Sequence, residues 1–432
     1  MNYKEFFNKR KIAIIGLGPH GEMVSDIKFL LRNKADITLY DMRSEKRLKA
    51  FLLELKDAGL EKYTFGKVSG DDLLESDLIL ISSEISKKSI FLKKAVQAEI
   101  QIEYPETLFF KLSPQVTLIG VLGLYGKSTV VSMIHSILKI SFSDNKDQSL
   151  FFIDPDSSHG ALTHLKKIKK GDLVLVRIPD RLMDFYHEIH ISPHVAVITS
   201  QISFDILDFQ TYNNFIIAPD EVIDAIKLEK SFSLKAKMLR TRASSIPLDW
   251  NIKTKGSHDK ENAALVLQTS ELFKISSDIV KDVVQNFLGL HGCVEFVKKV
   301  AGIEYYNDTN SITPRSTVSA IKSLSSGRNI TLILGGAYTG YDYSEMIKEI
   351  PDHVLNIILL PGSGSLGIRG KLENIEGVNF TQILNLEDAV KKANEITIKG
   401  GRVVFSPAFD AVGVDISRKE RGERFVRAVR GL

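Results

Sequence analysis

Two glycine-rich turns carry the clearest chemical signals in this 432-residue sequence. The second reads Gly123-Leu-Tyr-Gly126-Lys127-Ser128-Thr129 and lies between an apolar run and an amphipathic helical pattern. In such a turn backbone amides point at phosphate oxygens, the lysine neutralises the β- and γ-phosphates, and a hydroxyl ligates Mg²⁺. We predict a site for ATP or GTP here, with Ser128 as the preferred metal ligand. The alternative is a relic loop that binds no nucleotide.

The first turn reads Gly16-x-Gly18-x-x-Gly21, again between an apolar run and a helical pattern. Glycines at this spacing let the backbone approach a diphosphate at a helix N-terminus. Asp41 follows the next apolar run and can accept hydrogen bonds from a sugar or base, with Arg43 as a cation beside it. Taken alone, the turn indicates a dinucleotide such as NAD. The alternative is that the glycines only permit tight packing of strand on helix.

Both turns must be positioned by strands and helices, and the whole sequence alternates between the two patterns. Short continuous apolar runs separated by amphipathic helices are typical of parallel sheets covered on both faces. Strands are predicted at Ile12–Ile15, Ile37–Tyr40, Leu78–Ile81, Val116–Leu122, Leu173–Val176, Val195–Ile198, Ile330–Leu334 and Val403–Phe405. We predict an α/β fold of three domains. They are a Rossmann-like N-terminal domain (1–112), a central P-loop ATPase-like domain (113–287) and a C-terminal Rossmann-like domain (288–432).

The composition excludes several classes of protein. The formal net charge of +4 gives no nucleic-acid signal. Cys293 is the single cysteine, so there is no internal disulfide framework and a reducing compartment is expected. No apolar run approaches the ~18 residues of a membrane-spanning helix. We expect a cytoplasmic, monomeric protein that does not insert into membranes.

A Rossmann-like unit followed by a phosphate loop resembles the Mur ligase family, and in particular its D-glutamate-adding branch. The resemblance extends along essentially the whole chain as an ordered set of landmarks. They are Gly256–Ala264, Gly289–Glu295, Asn307–Pro314, Gly335-Gly336, Ser406–Ala408 and Arg421-Gly422. Each landmark is weak by itself, but the order of the set is specific to this family.

The resemblance implies an ATP-dependent amide ligase of peptidoglycan synthesis that uses ATP and Mg²⁺. The carboxylate of UDP-N-acetylmuramoyl-L-alanine would take the γ-phosphoryl group of ATP, and the amine of D-glutamate would attack the resulting acyl phosphate. The implied UDP-sugar contacts are Gly16, Gly18, Gly21, Asp41 and Arg43. The implied ATP contacts are Gly123, Gly126, Lys127, Ser128, Thr129, Asn262 and Asp308, with Lys127 catalytic and Ser128 on the metal.

Several positions depart from the family pattern, and they cluster on chemistry. Val176 stands where the family has a metal-binding glutamate, and a valine offers a hard cation no oxygen. Asp180, four residues after Val176, is the candidate substitute. The stretch Thr199–Pro219 lacks the family's histidine and lysine, and its only carboxylates are Asp205 and Asp208. The remaining departures are Val121, Leu124 and Tyr125 in the phosphate loop, and Cys293, Thr339 and Ala411 in the third domain.

These departures leave alternatives open. The chain is either a working ligase with substitute residues or a homologue that binds nucleotide or a partner without joining anything. A ligase for another amino acid and an NAD-dependent regulator or dehydrogenase are further alternatives. Fold does not establish activity.

Overall fold

The computed structural model describes residues 2–18, 21–143, 145, 147–157, 159–230, 234–250, 252, 259–287, 289, 291–338, 341–410 and 418–432. The chain divides into two compact units, residues 1–247 with 261–283 and residues 248–260 with 284–432. The first unit contains two sheets and the second contains one.

The first sheet is parallel, with strand order β3-β2-β1-β4-β5. Its strands are β1 Lys11–Ile15, β2 Asp36–Asp41, β3 Lys62–Phe65, β4 Leu78–Ile81 and β5 Gln101–Glu103. The helices of this part are α1 Tyr3–Phe7, α2 Val24–Arg32, α3 Glu45–Asp57, α4 Lys93–Gln97 and α5 Pro105–Leu112. The chain changes direction across the sheet between β1 and β4, and open parallel sheets bind ligands at the carboxyl ends of strands beside such a reversal.

The second sheet is also parallel, with order β11-β10-β9-β6-β8-β7. Its strands are β6 Thr117–Leu122, β7 Leu150–Ile153, β8 Leu173–Arg177, β9 Val195–Ile198, β10 Phe215–Pro219 and β11 Lys237–Thr241. The helices that follow in sequence are α6 Lys127–Ser141, α7 Asp180–Glu188, α8 Asp220–Lys230, α9 Asp259–Leu272 and α10 Ser277–Asn286. Strand β6 lies between β8 and β9, so three strand ends surround the loop that follows it.

The third sheet has order β12-β13-β17-β14-β15-β16 and is parallel except for the antiparallel pair β12 and β13. Its strands are β12 Glu295–Val300, β13 Ile303–Asn307, β14 Ile330–Leu334, β15 Val354–Leu359, β16 Asn379–Gln382 and β17 Arg402–Phe405. The helices are α11 Pro314–Leu324, α12 Ser344–His353, α13 Ser363–Glu373, α14 Leu386–Ile396 and α15 Arg418–Arg430.

The α/β fold of three mainly parallel sheets is confirmed. Each predicted strand is present, with bounds that differ from the prediction by at most one residue. The domain boundaries at 112/113 and 287/288 stay a prediction. Among the described helices, none is both long enough and apolar enough to cross a bilayer.

Aromatic side chains of α5 and α7 fill the joint between the first two sheets. The Tyr104 ring, at the start of α5, lies 4.2 Å from the Phe185 ring of α7, and Phe110 lies 5.8 Å from Tyr186. These side chains belong to one continuous core that extends through both sheets. The first two sheets therefore form one packed body, in which the strand ends of one sheet are held against those of the other.

Helices cover the third sheet on both faces. Leu332 and Leu334 belong to the core under α11, α12 and α13, whereas Ile333 belongs to the core under α14 and α15. This alternation is what a strand with a side-chain period of two requires when both faces are buried.

We expect Leu332→Ala to destabilise the second unit by about 2–5 kcal/mol, because Leu332 is fully buried and the truncation leaves a cavity. Urea unfolding followed by circular dichroism measures the loss. Leu384→Ala is the matched control, since Leu384 is 80% exposed. Equal stability of the two variants would contradict this placement of β14.

Candidate functional site

The second glycine-rich turn links β6 directly to α6, with Gly126 immediately before the first helical residue. Gly126 has a φ of 80°, which side-chain-bearing residues rarely adopt. A Cβ on Gly126 would lie 2.8 Å from Oδ1 of Asn262, and a Cβ on Gly123 would collide with Thr199. The loop is thus closely packed on this side, with Asn262 of α9 against it, and the contact of Asn262 with ATP stays a prediction.

Lys127 lies folded over this loop. Its ammonium donates a hydrogen bond to the carbonyl oxygen of Gly123 and lies 3.2 Å from Oδ1 of Asp180. Burial lowers the pKa of Lys127, and the Asp180 carboxylate opposes that shift. A cation that is largely desolvated and lies beside a glycine-rich loop is suited to phosphate oxygens.

Thr199 and Ser200, which follow β9, support the loop from the neighbouring strand. Ser200 Oγ accepts a hydrogen bond of 2.7 Å from the Leu124 amide, and Thr199 donates one of 3.1 Å to the Leu122 carbonyl oxygen. Neither hydroxyl was predicted from the sequence. A signal was available, because polar residues that follow a strand adjacent to the phosphate-loop strand reach the same edge of a parallel sheet.

The unusual residues Leu124 and Tyr125 do not fill the loop. Each side chain is 56% exposed, and Tyr125 contributes its carbonyl oxygen as the acceptor of a hydrogen bond from Thr199. Both bulky side chains therefore extend into solvent rather than into the core.

Strand β8 lies beside the phosphate-loop strand β6 and ends in an arginine rather than in an acidic residue. Val176 is fully buried in the core, as its apolar side chain requires. Arg177 follows it and donates to Oδ1 of Asp154 from Nε at 2.9 Å and from a terminal nitrogen at 2.6 Å. The same guanidinium contacts Asp156. Burial lowers the pKa of Arg177, but these two carboxylates outweigh it and raise the pKa overall.

The oxygen donors beside the phosphate loop are few. Ser128 is exposed on the first turn of α6, and Asp180 faces Lys127. Within the described ranges, no three His, Cys, Asp or Glu side chains converge closely enough to hold a metal ion. Mg²⁺ usually keeps several waters and needs only one or two carboxylates besides the phosphates of its ligand. The role of Ser128 as a metal ligand stays a prediction, and Asp180 is held by Lys127.

The first turn of α7 joins the two glycine-rich turns. Asp180 contacts Lys127 of the phosphate loop. Arg181 donates to the Ser83 carbonyl oxygen at 2.6 Å and to its hydroxyl at 3.1 Å, just after β4. Ser82 in turn packs against Gly16, where a Cβ would lie 2.9 Å from the serine Oγ. Two consecutive residues of α7 thus reach both predicted sites.

In the first turn, Asp41 and Arg43 are engaged with each other and with the loop. Asp41 is 3% exposed and accepts a 3.0 Å hydrogen bond from the Leu17 amide. Arg43 forms a 2.7 Å ion pair with Asp41 and donates to the Gly18 carbonyl oxygen at 3.0 Å. Burial raises the pKa of Asp41, but the bonds from Arg43 and Leu17 outweigh it and lower the pKa overall. The pair shapes the turn, and its contacts with a ligand stay a prediction.

A cleft beside Gly18 separates this turn from the second sheet, and its walls include Ser82, Asp26, Glu106 and Asp154. Asp26 accepts a 2.8 Å hydrogen bond from the Leu162 amide. Burial raises the pKa of Asp26 well above its usual range, and Glu106 adds to the rise. Burial also raises the pKa of Glu106 to about 7. The sequence analysis missed this acidic cleft, because its walls come from segments far apart in the chain.

In the second unit, the predicted landmarks converge at the carboxyl ends of β13, β14 and β17. Asp308 is 2% exposed and accepts hydrogen bonds from Ser406 Oγ at 2.6 Å and from the Val294 amide at 3.0 Å. Burial raises the pKa of Asp308 to about 7, although the bonds from Ser311 and Ser406 oppose the rise. Its carboxylate therefore organises this edge, and its contact with an ATP ribose stays a prediction.

Two other landmarks make backbone hydrogen bonds at this edge, and several further positions are not described. The Gly335 amide donates to the Pro407 carbonyl oxygen at 3.0 Å, and Arg421 donates to the Phe409 carbonyl oxygen at 3.2 Å. Residues 256–258, Leu290, Thr339 and Ala411 lie outside the described residues. Asp205 and Asp208, the carboxylates of the Thr199–Pro219 stretch, form ion pairs with Lys230 of α8 at 2.6 and 3.0 Å.

Comparison with known proteins agrees with this arrangement. Residues 10–103 match the family model of the Mur ligase MurD-like N-terminal domain. The chain is 26% identical to a protein of Clostridioides difficile (strain 630) named UDP-N-acetylmuramoylalanine–D-glutamate ligase, over 98% of this chain and 99% of that one. The protein of the same name in Borreliella burgdorferi (strain B31) is 28% identical over 97% of each chain.

The chain is thus similar over nearly its whole length to the MurD-type Mur ligases. Among solved structures, the UDP-N-acetylmuramate-alanine ligase MurC of Thermotoga maritima matches it with a TM-score of 0.56 at 16% identity, over 98% of this chain and 99% of that one. The MurF ligase of Thermotoga maritima in complex with ADP matches with a TM-score of 0.51 at 15% identity, over 99% and 97%. At these identities the likeness shows that the chain shares the Mur ligase fold.

We expect Gly126→Ala to weaken ATP binding by about tenfold or more, since the new methyl group strains the backbone and meets Asn262. Isothermal titration calorimetry measures the affinity. Gly59→Ala is the matched control, because Gly59 has a φ of 100° and a Cβ there would meet nothing within 4 Å. If both variants bound ATP as the unaltered protein does, the loop would not be the nucleotide site.

Proposed function

We propose that this protein is an ATP-dependent ligase that joins D-glutamate to UDP-N-acetylmuramoyl-L-alanine through an acyl phosphate. The observation that carries the proposal is the first turn of α7. Through Asp180 it contacts the lysine of the phosphate loop, and through Arg181 it contacts the edge beside the first glycine turn. A reaction between a sugar-nucleotide substrate and a nucleoside triphosphate needs two such sites next to each other.

The ATP end of the proposed site is formed by the phosphate loop with Asn262 against it. Loop amides, Lys127 and the Ser128 and Thr129 hydroxyls would contact the phosphates. The likeness in fold to a MurF ligase solved with ADP supports a nucleotide at this end. Ser128 and Asp180 would hold a Mg²⁺ ion that arrives with the phosphates, and the ion would supply further neutralisation of their charge.

The sugar-nucleotide end is the turn Gly16–Gly21 with Asp41 and Arg43. The curated relatives are named for UDP-N-acetylmuramoylalanine and D-glutamate, and they match this chain over nearly its whole length. The match of residues 10–103 to a MurD-like N-terminal domain supports a sugar nucleotide here rather than NAD. The diphosphate would lie at the N-terminus of α2, where backbone amides favour negative charge.

The proposed chemistry depends mainly on position and charge. The substrate carboxylate attacks the γ-phosphorus of ATP, and the bond to the bridging oxygen breaks with release of ADP. The amine of D-glutamate then attacks the acyl carbon, loses a proton and expels inorganic phosphate. Lys127 neutralises the charge on the transferred phosphoryl group, a kind of electrostatic stabilisation that is often the largest catalytic term. Residues 288–432 form the proposed amino-acid-binding domain, in which Asp308 is the predicted contact with the ATP ribose.

A second candidate is a homologue that binds nucleotide without ligase activity. It is favoured by Arg177, which is fixed by Asp154 and Asp156 at the strand end beside the phosphate loop. A guanidinium at this strand end cannot ligate a metal ion. The two candidates differ in turnover, which the following variants measure.

We expect Lys127→Ala to lower the rate of phosphate release by about 10²–10³-fold, the range seen when one charge-stabilising donor is removed. The assay contains ATP, Mg²⁺, UDP-N-acetylmuramoyl-L-alanine and D-glutamate. Lys139→Ala is the matched control, since Lys139 is exposed near the end of the same helix. Absence of turnover in the unaltered protein, with ATP still bound, would favour the non-catalytic candidate.

We expect Asp180→Asn to reduce the Mg²⁺-dependent gain in ATP affinity by about tenfold, the size of one lost charge-assisted contact. Affinity measured in EDTA should not fall, because Lys127 loses its competing partner Asp180. Asp184→Asn, an exposed position on the same helix, is the control. Unchanged Mg²⁺ dependence in Asp180→Asn would remove Asp180 from the proposed metal site.

A further inference from the structure

Glu106 has an unusual position in the cleft beside Gly18. It is the second residue of α5, behind Pro105, and it is 6% exposed. Within the described part of the chain, its Oε2 atom is buried without a hydrogen-bond partner. Leaving a buried polar atom unpaired costs about 1–3 kcal/mol. Buried polar groups are nearly always satisfied, so an exception inside a cleft points to a ligand that completes it.

The charges around the cleft restrict what that ligand can be. Asp26 and Asp154 line the same walls, so the cleft is rich in carboxyl groups. The two nearby guanidinium groups are already engaged, Arg177 with Asp154 and Asp156, and Arg181 with Asp156 and Ser83. The surroundings of Glu106 therefore favour a group that donates hydrogen bonds to these carboxyl oxygens.

A metal ion is not the occupant. No three acidic, histidine or cysteine side chains converge for metal binding anywhere in the described residues. Burial raises the pKa of Glu106 to about 7, so near neutral pH a large share of the side chain is uncharged and can both donate and accept. Hydroxyl and amide groups of a ligand have the same dual character. The unpaired oxygen of Glu106 is therefore suited to an uncharged partner such as a hydroxyl or amide group.

The cleft lies beside the first glycine-rich turn. Gly18 and Ser82 lie on its wall, at the ends of β1 and β4 where the first sheet reverses its strand order. A diphosphate at the N-terminus of α2 would place the next part of the ligand beside these residues. Helix α5 presents Glu106 from the opposite side of this opening.

We propose that Glu106 recognises the uncharged sugar and amide portion of the sugar-nucleotide substrate, through hydrogen bonds made by its buried carboxyl group. The inference rests on the proposed function, since it takes the ligand to be a sugar nucleotide. It adds a specificity residue that reads the sugar side and contacts neither ATP nor the diphosphate.

The test compares the binding of two ligands to the full chain by calorimetry. UDP-N-acetylmuramoyl-L-alanine carries the sugar and amide portion, and UDP lacks it. We expect Glu106→Leu to weaken the first by about tenfold, the effect of about 1.4 kcal/mol, and to leave UDP and ATP affinities unchanged. Glu106→Gln keeps an uncharged donor and acceptor and should stay within about threefold of the unaltered protein. Glu61→Gln, an exposed position just before β3, is the control.

Thermal unfolding adds a readout that separates recognition from structure. A glutamate kept only for stability would lower the melting temperature when replaced. Glu106→Leu should instead keep or raise the melting temperature without ligand, because it removes an unsatisfied buried oxygen. A lowered melting temperature together with equal losses for UDP and the sugar nucleotide would overturn the inference.

The remaining outcomes are also decisive. Unchanged affinity of Glu106→Leu for the sugar nucleotide would overturn the role of Glu106 and leave the proposed function intact. If Glu106→Gln lost as much affinity for the sugar nucleotide as Glu106→Leu, the role of Glu106 would also be overturned, because the amide can make the same hydrogen bonds. Failure of the unaltered protein to bind either UDP ligand would overturn the proposed function together with this inference.

Discussion

The ion pairs and hydrogen bonds at the start of α7 are the contacts on which the rest of the candidate site depends. Asp180 faces the phosphate-loop lysine, and Arg181 reaches across to Ser83 after β4. Each pair by itself is partly exposed, and exposed ion pairs contribute little to stability. Their importance is positional. They occur where two parallel sheets bring their carboxyl ends together, so a small shift of α7 would move both glycine-rich turns relative to each other.

The packing of α5 and α7 between the first two sheets also affects the buried acids nearby. Aromatic side chains of α5 and α7 exclude water from the space between the sheets. In that environment an unpaired acid becomes neutral rather than ionised, which is the direction in which the pKa values of Asp26 and Glu106 move. Asp26 has a structural partner in the Leu162 amide, whereas one oxygen of Glu106 has none among the described residues. The first acid is paired with an amide of the segment that follows β7, and the second keeps one buried oxygen without a partner among the described residues.

The sequence predicted the strands, the two glycine turns and the order of the third-domain landmarks, because these features depend on local pattern. Apolar runs predicted β4, β9 and β14 with their observed bounds. The roles of Arg177, Ser200 and Glu106 depend on which strand ends become neighbours, and that is set by sheet order. Strand β6 lies between β8 and β9, which are distant from it in sequence. Asp41 is the opposite case, because its position was predicted from the sequence, whereas its ion pair with Arg43 was not.

Arg177 bears most directly on whether the site can perform a transfer. A carboxylate at this strand end would bind Mg²⁺, whereas the guanidinium of Arg177 brings positive charge close to Lys127. Burial is the main reason that the pKa of Lys127 is lowered, and Arg177 lowers it further. Asp154 and Asp156 neutralise much of the added charge, so it does not simply replace a metal ion. Asp180 is then the carboxylate that contacts Lys127 directly, and it offsets the loss of the acid that the family has nearby. The charges beside the phosphate loop are therefore distributed over two groups, Arg177 with its two carboxylates and Lys127 with Asp180.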